Sequence, residues 1–304
     1  MAKILIIDKQ NKIYMKNENP AIAIIPYGQW SLCNLSSLSL DNLEWPLGRP
    51  KRLIEGTVGD MISSDHLITF PRKPVFFLPR YKVKATISLI IVEPDSIHKH
   101  YLKLSKYFYW RFYKILTKNT QLLNILNNGS FFYFGSTFLK NLDEIDIQKK
   151  NLTSLIASEQ NQLKGHKLRH KIAKYIKDND LDIAVIGRGY KPFKNKEDGL
   201  KSFRYSIVIE NSSEQDYFTE KVIDACLLET IPIYWGAPNI SKYFDIRGFI
   251  VCNSSDEIVN ALKNLSIKDY NRKIKWVKKN KETALYHANY MKRAALIIKE
   301  HLDN

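Results

Sequence analysis

Short apolar runs of strand length recur along the first half of the chain. They are "KILIID" (3–8), "AIAIIP" (21–26), "HLITF" (66–70), "PVFFLP" (74–79), "TISLIIVE" (86–93), "FYKILT" (112–117) and "SFFYFG" (130–135). Beyond a polar zone near 140–151 the periodicity changes. In "EQNQLKGHKLRHKIAKYIKDN" (159–179), Leu168, Ile172, Tyr175 and Ile176 recur at helical spacing. "LDIAVIG" (181–187) and "YSIVIEN" (205–211) then read as strands, and "TEKVIDACLLET" (219–230) as a helix with Thr219 as N-cap. "IPIYWG" (231–236) and "GFIVCN" (248–253) read as strands, and 255–265 and 271–302 as helices. Strands alternating with helices predict α/β sheets. The polar break predicts two domains, 1–148 and 149–304, with the final helix able to pack back on the first.

Composition adds little to the fold and more to the partner. No apolar run approaches the roughly 18–20 residues needed to span a bilayer. The apolar part of "MAKILIID" is too short for a signal peptide, so a cytoplasmic protein is expected. Cys33, Cys226 and Cys252 show no metal-ligand spacing, and an odd count argues against a disulfide framework. The 47 Lys and Arg against 31 Asp and Glu leave a net charge of +16. Such a field attracts anions: nucleic acid, an acidic membrane face or a phosphorylated small molecule.

The chemistry gathers where predicted strands end. In open α/β sheets, ligands sit at the carboxyl ends of strands, where helix N-termini point free N–H groups. Glu210 and Asn211 end one strand, and Glu220 and Lys221 begin the next helix, so all four are expected at one crevice. A Lys in the first helical turn opposes the helix dipole, and a diphosphate beside it would relieve that conflict. A neighbouring carboxylate can accept two hydrogen bonds from a vicinal diol such as a ribose. An ordinary surface Glu-Lys pair is the competing interpretation.

The stretch "FRYSIVIENSSEQDYFTEKVIDACLLETIPIYWGAP" (203–238) closely resembles the signature of the α-1,3-fucosyltransferases, glycosyltransferase family 10. Upstream, Ser158 and Arg169 in "IASEQNQLKGHKLR" match the family's Ser-Asn…Arg segment, with Glu159 at the Asn position. "SLIIVEPDSIH" (88–98) resembles a segment of the acceptor domain, and the likeness covers roughly 85–260. The resemblance implies a GT-B fold of two Rossmann-like domains facing each other across a donor/acceptor cleft. It implies transfer of L-fucose from GDP-β-L-fucose to a glycan hydroxyl with inversion, in an α-1,3 linkage. By residue, Arg169 and Lys221 match the cations on the diphosphate, and Glu220 the carboxylate on the ribose. Tyr217 matches the aromatic beside the donor, and Glu210 and Asn211 the strand-end pair lining its pocket. Thr219 precedes them as helix cap. Glu93 stands where the family has its general base, though in Val-Glu-Pro rather than Gly-Glu-Asn. Such enzymes need no metal, and no cofactor is expected beyond the donor substrate.

Other motifs carry less. Asp180-Leu-Asp182 reads as a turn before a strand rather than a metal site, and "GRGY" (187–190) as a tight strand-end turn. His166 and His170 lack a third ligand and read as solvated or anion-facing, and His98 and His100 as surface residues near the acceptor side. "YLKLSKYFYWRFYKIL" (101–116) has the mixture of a nucleic-acid platform or membrane-facing helix, with half of its aromatics expected in the core. "RKIKWVKKNK" (272–281) is a solvated helix face or a contact to an acidic inner-membrane face. The acceptor is expected to be a glycan or lipid-linked glycan, with no nucleic acid partner. A same-fold enzyme using another nucleotide sugar, and a basic nucleic-acid-binding protein, are the rival functions.

Overall fold

The computed structural model describes residues 5–7, 13–15, 20–27 and 34–303, so Cys33 lies outside the described residues. They divide into two compact α/β units. The first takes in the described residues up to Ile91, then His98–Phe132, then those from Met291 onward. The second takes in Val92–Ile97 and Tyr133–Tyr290.

In the first unit, β1 (Leu5–Ile7) pairs antiparallel with β2 (Ile13–Met15). The main sheet is entirely parallel and runs in chain order: β3 (Ile22–Ile24), β4 (His66–Thr69), β5 (Thr86–Ile91), β6 (Ile115–Thr117) and β7 (Gly129–Phe131). Parallel neighbours need crossovers. Short 3-10 turns supply the first, α1 (Lys73–Phe77) the second, α2 (Asp95–Phe108) the third and α3 (Thr120–Leu123) the fourth. The core joins Ala23, Leu67, Leu89 and Ile115 to Leu53, Val58 and Phe76.

Two expectations fail here for clear reasons. "PVFFLP" is not a strand but α1, because Pro74 presets the first helical turn and needs no N–H there. It buries Val75 and Phe76. Over 101–116 a helix was only one of two readings, and none was expected from 95; α2 begins just after Pro94 with Asp95 in its first turn. Its Tyr and Phe residues suggest strand by propensity, and the tertiary context overrides them. The expected strands at 112–117 and 130–135 survive only as the three-residue β6 and β7.

The second unit has the parallel order β12-β11-β10-β8-β9. Its elements in chain order are β8 (Asn151–Ile156), α4 (Lys164–Asp178), β9 (Ala184–Ile186), β10 (Phe203–Ile209), α5 (Glu220–Leu227), β11 (Ile231–Trp235), β12 (Ile250–Val251), α6 (Ser255–Leu262) and α7 (Ile267–Ala288). The expected 271–302 helix is two helices, because the chain leaves helical geometry at Asn289 before α8 (Tyr290–Asp303). Both faces of the sheet are covered, as a parallel sheet requires. Val208 and Tyr234 meet Val222 and Ile223 of α5 on one side. Ile207, Ile209 and Ile233 meet Ile172 and Ile176 of α4 and Val277 of α7 on the other. Full burial of each such side chain contributes about 1.5–3 kcal/mol.

Candidate functional site

The strand order of the second sheet places its switch point between β8 and β10. From β8 the chain steps outward to β9, then returns to β10 and proceeds the other way to β11 and β12. Ligands of open α/β sheets bind at the carboxyl ends of strands at such a point. A cavity of about 390 Å³ opens there. Its wall includes Ala157 and Ser158 after β8, Gly187 and Arg188 after β9, and Ile209 at the end of β10. Arg169, Glu220 and Lys221 also stand on that wall.

Arg169 reaches the site from α4 and is buried. Its Nε donates to the Ile209 carbonyl (3.0 Å) and its Nη2 to Asn211 Oδ1 (2.6 Å), which aims the guanidinium across the end of β10. Gly165 makes the close approach of α4 possible. A Cβ there would lie 1.7 Å from the Glu210 carbonyl oxygen. On the far side of β10, Thr219 caps α5 by accepting from the Lys221 N–H (3.4 Å).

The Glu210 side chain is fully buried at the end of β10. It accepts from the Thr219 N–H (2.9 Å) and from Thr219 Oγ1 (2.6 Å), fastening the end of β10 to the start of α5. Burial pushes its carboxyl up, against Lys221 and the Thr219 donors. Tyr217 is also buried and stands behind the wall, its hydroxyl pushed far up by burial and then by the Glu210 and Glu93 charges.

Glu220 and Lys221 are not a surface pair. Lys221 Nζ lies 2.9 Å from Glu220 Oε1 and 3.8 Å from Glu210 Oε2, and donates to Thr219 Oγ1 (3.1 Å). Burial works against the Glu220 charge, but Lys221 and Lys196 outweigh it and hold the carboxyl at about 2. Burial also opposes the Lys221 charge, and Glu220 and Glu210 more than compensate, so its pKa is raised. Both groups are therefore fixed as ions. Glu93 lies in the short segment 92–97 that groups with this unit. The Asp95 N–H donates to Glu214 Oε2 (3.0 Å), tying that segment to the loop after β10. Burial raises the Glu93 pKa, Lys221 lowers it, and Glu220 raises it, with a net upward shift.

Two contributors escaped the sequence reading. Lys196 stands on the cavity wall, 2.7 Å from Asp224 Oδ2, 3.9 Å from Glu220 Oε1 and over the Phe138 ring at 4.7 Å. Asp224 is fully buried and also accepts from Thr137 Oγ1 (2.5 Å). Lys196 sits in "KNKED", which resembles any solvated loop. Asp224 did carry a signal: it is a lone acid inside the apolar run "VIDACLL", which demands a buried partner. Elsewhere, His166 and His98 are buried rather than solvated; His166 Nδ1 accepts from the Leu163 N–H (3.4 Å), and its imidazole lies near enough to Arg169 and Lys221 to feel their charge. "GRGY" is the expected turn, with Gly187 and Gly189 at positive φ. Asp180, at φ 50°, also forms a turn.

The model of the C-terminal part of glycosyltransferase family 10 (fucosyltransferase) matches residues 147–298. The α-(1,3)-fucosyltransferase FucT of Helicobacter pylori is 33% identical over 132 residues, 40% of this chain and 26% of that protein. The GDP-fucose protein O-fucosyltransferase 3 of Danio rerio is 31% identical over 90 residues, 28% of this chain and 20% of that protein. The matched part thus spans about a quarter or less of these relatives. HepE of Anabaena, solved with UDP and glucose, superposes with a TM-score of 0.56 at 12% identity, over 81% of this chain and 78% of that one. That likeness concerns the fold, a GT-B glycosyltransferase architecture of two parallel-sheet units. The family match takes in Arg169, Lys221 and the α5 cap, and it amounts to half of the sequence: this chain belongs to glycosyltransferase family 10.

Proposed function

We propose that the protein transfers L-fucose from GDP-β-L-fucose to a hydroxyl of a glycan, with inversion, forming an α-1,3 linkage. The observation that carries the reading is the fixed set of Arg169, Lys221 and the α5 N-terminus at the switch-point cavity, with ionised Glu220 beside them. Arg169, Lys221 and the helix end would hold the diphosphate and stabilise its charge as the sugar departs. Glu220 would accept hydrogen bonds from the ribose diol. Asn211 and Tyr217 would shape the pocket from behind, and Glu210 with Thr219 would hold the α5 start in place. Glu93 would take the proton from the acceptor hydroxyl while its oxygen attacks the anomeric carbon and GDP leaves. A base in that role is worth ~10²–10⁴-fold.

In this reading the second unit binds the donor and the first serves the acceptor, a glycan or lipid-linked glycan met at the cytoplasmic face of an acidic membrane. Fixed side-chain cations take the part of a divalent ion. The resemblance and the names of the two curated relatives favour GDP-fucose over other donors. The test is release of GDP and appearance of fucosylated product from a panel of nucleotide sugars with soluble glycan acceptors. Turnover of UDP-glucose but not GDP-fucose would move the protein to another donor class. Salt-sensitive retardation of RNA or DNA with no turnover of any donor would return it to the nucleic-acid-binding alternative.

A further inference from the structure

The first unit carries a surface that the proposed chemistry does not use. It is made by the turn after α1 and the end of α2. Tyr81 is 75% exposed, Trp110 67% and Phe77 52%, with Leu78 and Tyr107 exposed beside them. These side chains belong to one patch. Arg111 Nη2 donates to the Leu78 carbonyl (2.6 Å), and the Phe77 ring meets Phe108 edge-on at 5.1 Å. Arg80 lies over Phe112 at 5.2 Å. The Val83 N–H donates to the Arg80 carbonyl (3.1 Å) and Lys82 has φ 59°, so Tyr81 and Lys82 form the tip of a β-turn.

The chain around this patch is mostly basic, with Asp60 close enough to feel the charge of Lys84. From His66 to Leu142 the acidic residues are Glu93 and Asp95, against twelve Lys and Arg. Lys82, Lys84, Lys103 and Lys106 are exposed. The basic run on α7 is different. There Arg272 and Lys273 pair with Asp269, Lys279 with Asp245, and Lys281 with Glu229, while Trp276 is only partly exposed. Four of its six cations are thus answered by acids of the second unit, and Lys275 lies over Trp276 at 4.5 Å.

Exposed large apolar side chains usually lie singly, and a cluster rimmed by charge marks an interaction surface. A nucleic-acid platform needs open ring faces on which bases stack. Here Lys82 lies over one face of the Tyr81 ring at 5.6 Å and Arg111 over one face of Trp110 at 5.7 Å, so a base would have to compete with them there. Phe77 and Leu78 offer bases no hydrogen bond. Aromatics that enter the headgroup layer, ringed by Lys and Arg, suit an anionic bilayer instead. Among the described residues no helix is long and apolar enough to cross a membrane, so the contact is a surface one. We propose that the Phe77–Lys82 turn and the Tyr107–Arg111 end of α2 dock the first unit onto an acidic lipid surface. This deepens the membrane contact of the proposed function by giving it a location, and it uses no residue of the donor site.

The test is flotation of the full chain with vesicles of phosphatidylcholine, with and without phosphatidylglycerol. Binding is expected only with the anionic lipid, weakening as salt is raised. Lys82→Glu and Lys106→Glu should each weaken it about fivefold or more, whereas Lys275→Glu on α7 should not. Quenching of tryptophan fluorescence by brominated lipid should fall in Trp110→Phe. Equal binding to neutral vesicles, no binding, or wild-type binding by the Lys82 and Lys106 variants overturns the proposal. So does loss of single-stranded RNA binding in those variants with vesicle binding unchanged. Transfer to a soluble acceptor should be unaffected in all of them. Its absence in the wild type would sink the transferase reading and leave the docking surface standing.

Discussion

Two neighbouring carboxylates, Glu210 and Glu220, show how strongly position decides role. Glu210 is fully buried and occupied by Thr219, while Glu220 is on the cavity wall between two lysines. Glu220 is held down from 4.5 to about 2, so its stability contribution is complete above the unfolded value and is lost as pH falls towards 2. It will not titrate in an ordinary assay. Glu93 is raised instead, and as a base it must be ionised. The kcat/KM profile should therefore rise with pH through a limb above the usual carboxylate range. Glu93→Gln should remove most transfer, ~10²-fold or more, with GDP binding retained by calorimetry. Normal transfer by that variant would shift the search for the base to Asp95. Lys221→Ala and Arg169→Ala should each lower turnover by ~10²–10³ as leaving-group stabilisation is lost. A well-folded variant with near-normal turnover would exclude that residue from the diphosphate.

At the scale of elements, the site depends on how closely α4 and α5 approach the end of β10. Gly165→Ala would drive a Cβ into the Glu210 carbonyl, and overpacking of this kind destabilises by about 1–3 kcal/mol. The expected outcome is a lowered thermal midpoint together with weaker nucleotide binding, since Arg169 rides on the same helix. Thr219→Ala should cost about 1 kcal/mol as a lost cap, and more because Glu210 loses a donor. Thr219→Ser should restore both, and a Ser variant no better than Ala in thermal melts would argue against the hydroxyl contact. Much of this was legible in the chain. The apolar run ending at Ile209 and the Thr219 cap located β10 and the start of α5 to within a residue or two. α1 was misread because Pro74 looks the same in a strand edge and a first helical turn until packing decides. Lys196 was invisible because nothing local distinguishes a loop lysine that finds a buried Asp224 from one that finds water.

For the whole molecule, ligand linkage gives the most direct measurement. A donor nucleotide present at about 100 times its Kd should raise stability by about 2.7 kcal/mol. GDP is expected to raise the thermal midpoint, and UDP at equal concentration is not. Activity should persist in EDTA, and complete loss restored by Mn²⁺ would reveal a metal site that the reading lacks. Resemblance supplied the guanine and fucose preferences and the diphosphate role of Arg169, while the residues themselves suggested only an anion beside Lys221. Net charge could name only a class of partners, because a sum over the sequence does not say which lysines are paired. Arg272 and Lys281 are answered by acids, whereas the stretch of chain around Trp110 is poor in acidic residues.

The grouping of α8 with the first unit has a consequence for synthesis. Residues from Met291 onward return to a unit whose other parts were made long before. There Tyr113 donates to the His301 carbonyl (2.9 Å), and Arg293 covers the Phe132 ring at 5.2 Å. Domains generally fold as they leave the ribosome, amino-terminal parts first. This one cannot follow that order to completion. Its core can gather early, but the surface that receives α8 stays bare until the second unit has been translated. A nascent chain stalled at residue 290 should thus be more protease-sensitive in its first half than the full chain, while its second half already resists digestion.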